Sequence, residues 1–147
     1  MRKMVVALAV LAAIAAFSTA GYNSKASKPS SGISSIALDS VITADGTAKL
    51  AATVKPALGN RVTFATTVGS LAGWEYPMVV VSCYQSGKMV WSTADNPGAA
   101  FLLGGANSDW ALSGGSAACT ATLAAYGWHR GIESIRPMAD TSFDATA

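Results

Sequence analysis

After residue 35, apolar and polar residues alternate with a period of two, in short runs that turn residues separate. This alternation is typical of strands that bury one face and expose the other. It is clearest over residues 47–54, 61–68 and 117–126, and residues 78–85 and 88–93 are predicted as two further strands. Beyond the leading apolar segment, no window of about eleven residues carries a capped helical repeat. The pattern predicts an all-β chain with about seven or eight short strands, arranged as an antiparallel β-sandwich around a single core.

A first tight hairpin is predicted at Asp45-Gly46, which separates residues 41–44 from residues 47–54. This dipeptide suits a type I′ turn, because both central positions of such a turn need positive φ. The second arm of the hairpin is predicted to alternate as far as Val54.

A second hairpin is predicted around residues 86–87, a Ser-Gly pair that suits a two-residue connection. With this connection Cys83 would face Val90 on the core side of the hairpin. Tyr84 and Trp91 would then share the opposite side.

The remaining segments are short and separated by glycine-rich loops. Loops are predicted over residues 69–77 and 104–116. A short apolar strand is predicted over residues 100–103, between a turn over residues 94–98 and the second of these loops. The last strand can come from residues 132–135 or from residues 138–145.

The chain begins with Arg2 and Lys3, followed by an apolar run over residues 4–17 and by Ser-Thr-Ala before Gly21. This order is typical of a secretory signal peptide, which we predict as a helix over residues 1–20 that is removed by cleavage. The apolar run would reach only ~21 Å, short of the ~30 Å hydrocarbon core, so an uncleaved membrane anchor is the less favoured alternative. No stable membrane span is expected after cleavage.

Residues 21–35 are rich in serine and have no apolar period. Such a segment cannot bury enough apolar surface to offset its ordering entropy, so we predict a flexible linker there. The folded domain is then predicted over residues 36–147.

The charge balance changes once the leader is set aside. The whole chain has 10 Lys+Arg against 8 Asp+Glu and is 51% hydrophobic. Residues 21–147 are formally neutral and about 46% apolar, which is ordinary for a globular domain. This composition excludes a basic nucleic-acid binder, an acidic disordered tail and a multi-pass membrane protein.

Cys83 and Cys119 are the only cysteines. In an exported chain they predict one disulfide, formed either inside the sandwich or across adjacent strands, which would stabilise the fold by roughly 3–4 kcal/mol. The alternative is a reactive thiol at Cys119 paired with His129, which an oxidising compartment disfavours.

Five segments of the chain resemble immunoglobulin-like β-sandwich modules of secreted and phage virion proteins of actinobacterial type. They are residues 59–64 (GNRVTF), 81–90 (VSCYQSGKMV), 101–104 (FLLG), 113–123 (SGGSAACTATL) and 139–143 (ADTSF). The resemblance implies an immunoglobulin-like fold and an exported setting, and it carries no catalytic motif.

Three features differ from antibody-type domains. The spacing between Cys83 and Cys119 is short, no core Trp follows Cys83 at the expected offset unless Trp91 serves, and Tyr126 follows the second cysteine instead of preceding it.

The sequence offers few groups for metal binding. One histidine and two cysteines are too few for a zinc site, and we expect no metal or other cofactor. Asp95, Asn96, Asn107 and Asp109 lie in predicted loops without the spacing of a calcium loop, so we interpret them as turn residues.

The sequence also offers few residues for a catalytic site. His129 is the only candidate base for a serine triad, and no Gly-x-Ser-x-Gly motif accompanies it. Glu75, Glu133 and the six aspartates could supply a carboxylate pair, but their neighbours are mostly turn residues. We therefore predict that the protein is not an enzyme.

Aromatic residues provide the strongest functional signal, because exposed Tyr and Trp side chains stack on sugar rings or anchor protein partners. The candidate binding residues are Tyr84, Trp91, Trp74, Tyr76, Trp110 and Trp128. The alternative is structural, with Trp91 and Trp110 capping the core and the loop aromatics packed on their own strands.

These observations predict an exported, non-catalytic β-sandwich that acts as a binding or structural module at the cell surface, in the medium or on a virion. A cell-wall glycan or a surface protein is the candidate partner, and nucleic acid is not expected. The alternative function is a small secreted hydrolase or enzyme inhibitor with a loop site near His129.

Overall fold

The computed structural model describes residues 33–147, which form eight strands and one short helix. Their bounds are β1 Ser35–Ile42, β2 Ala48–Leu50, β3 Arg61–Thr67, β4 Tyr76–Gln85, β5 Lys88–Asp95, β6 Phe101–Leu102, α1 Asp109–Ser113, β7 Ala117–His129 and β8 Ile132–Ala145. The predicted signal peptide and most of the predicted linker lie outside the described residues. Ser35, the last residue of that linker, already belongs to β1.

The strands form two four-stranded antiparallel sheets, as the alternation predicts. The first sheet has the order β2-β1-β3-β6, and the second has the order β5-β4-β7-β8. β1 of the first sheet packs over β8 and β7 of the second. The prediction of an all-β, sandwich-like fold with one disulfide is confirmed.

The core lies between the sheets and is built from alternate residues of most strands. β4 is buried on both faces from Met78 to Cys83, and a second buried cluster lies on its outer side, formed by Met78, Val80, Ala124, Tyr126 and Ile135. In β3, Val62 and Phe64 are buried while the residues on either side of them are more exposed. The Phe64 ring lies 5.6 Å from the Phe101 ring and 6.0 Å from the Phe143 ring, measured between centroids. Apolar side chains from both sheets therefore meet in one continuous cluster, as a two-layer architecture requires.

The disulfide joins neighbouring strands of the second sheet. Cys83 in β4 stands directly opposite Cys119 in β7, with their Cα atoms 4.1 Å apart and both side chains buried. Of the two placements that the sequence left open, the structure has the one across adjacent strands. In antibody domains the conserved disulfide instead connects the two sheets.

The hairpin at residues 86–87 forms as predicted, but its register differs. Ser86 and Gly87 both have positive φ, at 48° and 77°. A β-bulge then shifts the pairing, so that Cys83 stands opposite Trp91 and not opposite Val90. Because paired residues share a face, Trp91 points to the core side, and the prediction that it shares the outer face with Tyr84 is wrong.

The turn at Asp45-Gly46 also forms, with a different geometry. Gly46 has a φ of 85°, whereas Asp45 is not among the residues with positive φ, so the turn is not type I′. The Gly46 N–H donates to the Thr43 carbonyl over 2.8 Å, which gives a three-residue loop closed by a glycine. The second arm ends at Leu50, where a further turn replaces the strand predicted to Val54.

The longest hairpin joins β7 and β8 through Arg130 and Gly131, which both have positive φ. β7 continues three residues past the predicted end at Tyr126. The two candidate segments for the last strand merge into β8, with a β-bulge near Pro137 that shifts the register. The tip of this hairpin extends beyond Tyr76, the first residue of β4.

Candidate functional site

The six predicted aromatic residues separate into three groups. Trp110 is 0% exposed within α1, and its indole Nε1 donates to the Gly115 carbonyl over 2.9 Å. Trp91 is half-buried on the inner face and packs against the core. Both tryptophans therefore pack against the core, as the structural alternative predicts. Because Trp110 is fully buried, it cannot belong to an exposed binding surface.

Trp74, Tyr76 and Trp128 converge at one end of the second sheet, whereas Tyr84 lies at the other end. Tyr76 stands opposite Tyr126, and the two phenol rings stack with centroids 4.7 Å apart and an interplanar angle of 29°. Tyr76 is 39% exposed, while Tyr126 beside it on the neighbouring strand is 4% exposed. The buried ring therefore supports the exposed one.

Strand alternation places Trp128 on the same outer face as Tyr126, two residues further along β7. Trp128 is 57% exposed and stands opposite Glu133 of β8. The Tyr126 hydroxyl donates a hydrogen bond to the Glu133 carboxylate. We call the set of Tyr76, Tyr126, Trp128 and Glu133 the aromatic platform.

The phenols of the platform stay protonated at neutral pH. Burial raises the pKa of Tyr126 above its usual value, and the hydrogen bond to Glu133 acts in the same direction. Desolvation also raises the pKa of Tyr76, with smaller contributions from the negative charges of Glu75 and Glu133. The platform consequently presents neutral aromatic rings beside a carboxylate that can accept hydrogen bonds.

Trp74 packs on the other side of the same sheet end. Its ring lies 4.2 Å from the His129 ring, and the Arg136 guanidinium lies 5.9 Å from the Trp74 ring centroid. A Cβ atom added at Gly127 would lie 3.3 Å from the Glu75 nitrogen and 3.4 Å from the Trp74 ring. The absence of a side chain at Gly127 therefore lets the loop before β4 pack directly on β7.

Of the catalytic and metal candidates, Glu75 and Glu133 both lie close enough to Tyr76 for their charges to raise its pKa, and the others have local roles. His129 is exposed, and among the described residues no hydrogen bond joins it to a serine or a carboxylate. Asp95 accepts from the Asn96 N–H over 2.8 Å, as a turn residue does. Asp109 begins α1 and lies 3.9 Å from the Lys88 ammonium, and Asn107 is exposed in the preceding loop.

No family model, curated protein or solved structure matches this chain. Over residues 33–147, no helix is long and apolar enough to cross a bilayer. In the same part of the chain, no group of three or more His, Cys, Asp and Glu side chains is placed to hold a metal ion.

Two members of the platform, Tyr126 and Glu133, are not among the binding residues predicted from the sequence. Tyr126 lies two residues before Trp128, so the alternation of β7 was a signal that both share a face. Their meeting with Tyr76 depends on the pairing of β4 with β7, about 50 residues apart in sequence, and no local pattern reports that pairing.

Proposed function

We propose that this protein is an exported, non-catalytic binding module that recognises a cell-wall glycan through the aromatic platform. The observation that carries the proposal is the exposed Tyr76 ring stacked on buried Tyr126, next to exposed Trp128 and the Glu133 carboxylate. Aromatic faces contact the C–H groups of sugar rings, and a carboxylate accepts hydrogen bonds from sugar hydroxyls. A glycan uses both properties of the platform, and we favour it over a surface protein as the partner.

The exported setting is part of the proposal. A disulfide such as Cys83–Cys119 is compatible with an extracytoplasmic location, because disulfides persist in oxidising compartments. The predicted signal peptide over residues 1–20 would bring the domain there, on the cell surface, in the medium or on a virion.

We also propose that the domain is a divergent immunoglobulin-like module. The order β5-β4-β7-β8 corresponds to strands C′, C, F and G of that fold, and the order β1-β3-β6 corresponds to strands A, B and E. This correspondence supports the proposal, although the disulfide would then join strands C and F in place of B and F.

The test is a pull-down of the purified, disulfide-bonded protein on peptidoglycan sacculi. Trp128→Ala and Tyr76→Ala should each weaken binding about tenfold or more, equivalent to roughly 1.4 kcal/mol, because each removes an exposed aromatic contact. Leu112→Ala, which removes an exposed apolar side chain from α1, is the matched control and should bind like the wild type.

Two results would contradict the proposal. Wild-type binding by both platform variants would exclude the platform as the contact surface. Hydrolysis of the glycan by the purified protein, lost in His129→Ala or Glu133→Gln, would instead support the secreted hydrolase.

A further inference from the structure

Two carboxylates lie beside the exposed tyrosine of the aromatic platform. Glu133 accepts a hydrogen bond from the Tyr126 hydroxyl and stands opposite Trp128 in the hairpin of β7 and β8. Glu75 directly precedes Tyr76, and its N–H donates to the Tyr126 carbonyl over 2.8 Å. Desolvation raises the pKa of Tyr76, and the negative charges of Glu75 and Glu133 raise it further. Both carboxylates therefore act on the rim of the Tyr76 ring.

No ion pair neutralises these two carboxylates within residues 33–147. Arg136 lies over the Trp74 ring on the other side of the sheet end and donates to the Ser70 carbonyl over 3.2 Å. His129 stacks on the same tryptophan. Arg130 is exposed in the turn between β7 and β8. The outer side of this sheet end thus combines neutral aromatic rings with unneutralised negative charge.

This combination favours a ligand that is both flat and positively charged. A sugar that stacks on Tyr76 turns its C–H groups to the ring and keeps its polar substituents at the rim, where the carboxylates lie. A free amine among those substituents is protonated in mildly acidic solution, and an ammonium group binds a carboxylate more strongly than a neutral hydroxyl does. The ring faces of Tyr76 and Trp128 also attract a cation. An N-acetylated amine has no charge and gains neither contribution.

We infer that the aromatic platform selects amino sugars with a free, protonated amine, so that its ligand is a glycan containing glucosamine and not a fully N-acetylated one. This inference rests on the proposed function and names the class of sugar. Glu133 is the residue that contacts the ammonium group, and Glu75 adds attraction from beside Tyr76. Because salt screens exposed charges, the preference should shrink as the ionic strength rises.

The test compares the hexamer of glucosamine with the hexamer of N-acetylglucosamine, which share their length and linkage. Binding to the purified, disulfide-bonded protein is measured by calorimetry at mildly acidic pH, at low and at high salt. The wild-type protein should bind the glucosamine hexamer about tenfold or more tightly than the N-acetylated hexamer at low salt.

Three variants locate the source of the preference. Glu133→Gln keeps the shape of the side chain and an oxygen that can accept from the Tyr126 hydroxyl, and it should remove most of the preference by weakening glucosamine binding more than N-acetylglucosamine binding. Glu75→Gln should remove a smaller part of it. Asp140→Asn is the matched control, since it removes the same charge from an exposed position of β8 opposite Thr122, and it should keep the full preference.

The outcomes separate this inference from the proposed function. If the wild-type protein binds the two hexamers equally and Trp128→Ala loses both, the sugar preference is wrong and the proposed function stands. An equal fall of the preference in Glu133→Gln and Asp140→Asn would trace it to the overall charge and would also overturn the inference. If the wild-type protein binds neither the hexamers nor the sacculi, the proposed function fails and the sugar preference fails with it.

Discussion

At the scale of single residues, the same amino acid has opposite roles in different places of this fold. Trp110 and Trp128 are both aromatic residues next to predicted turns, yet one is fully buried and the other is 57% exposed. The difference follows from α1, whose N-cap Ser108 accepts from the Ala111 N–H over 3.1 Å. This short helix turns Trp110 into the core, while the β7–β8 hairpin carries Trp128 outward.

Replacement of these two tryptophans should separate stability from binding. Trp110→Ala should lower the free energy of unfolding by about 3–5 kcal/mol, because it leaves a large cavity and an unpaired Gly115 carbonyl. Trp128→Ala should change it by less than about 0.5 kcal/mol, as exposed substitutions do. Urea unfolding of both variants measures the difference, and equal losses would contradict the assignment of Trp128 to the surface.

At the scale of secondary-structure elements, specific side-chain hydrogen bonds define the turn between β1 and β2. The loop between β1 and β2 is fixed by Asp45, whose carboxylate accepts from the Thr43 hydroxyl over 2.5 Å and from the Thr47 N–H over 3.0 Å. The Thr43 hydrogen bond, followed by those from Thr47, lowers the pKa of Asp45 to about 2. The ionised carboxylate therefore stabilises this hairpin.

The stability of the β1–β2 hairpin should depend on acid through Asp45. A group with a folded pKa below its unfolded value of about 3.9 contributes above that value and loses its contribution as pH falls towards 2. The melting temperature of the wild type should thus fall more steeply between pH 4 and pH 2 than that of Asp45→Asn. Asp140→Asn, at an exposed position of β8, is the control and should follow the wild type.

At the scale of the whole molecule, the disulfide ties together the two central strands of the second sheet. It closes a segment with a sequence separation of 36, which contains β5, β6 and α1. Because it restricts the unfolded chain, the bond should contribute roughly 3–4 kcal/mol to stability.

Removal of the disulfide should lower stability without changing the fold. The double variant Cys83→Ala and Cys119→Ala should show a free energy of unfolding lower by roughly 3–4 kcal/mol, measured by urea titration. Reduction of the wild-type protein should give a similar loss. An unchanged unfolding midpoint in both cases would contradict a stabilising role for this bond.

The sequence alone determined the features that depend on neighbouring residues. Alternation identified β3 and β7, and the Ser-Gly pair at residues 86–87 located a hairpin, because side-chain direction and turn geometry are set within a few residues. The two cysteines predicted the disulfide because only one intramolecular pairing is possible.

Tertiary structure decided what depends on pairing between distant strands. One extra residue at the bulge beside Cys83 turned Trp91 to the core side, and the packing of α1 buried Trp110. The pairing of β4 with β7 brought Tyr76 onto Tyr126, which no local pattern encodes. A one-residue shift reverses the faces of a strand, so the residues that form the aromatic platform could be known only once the sheets were assembled.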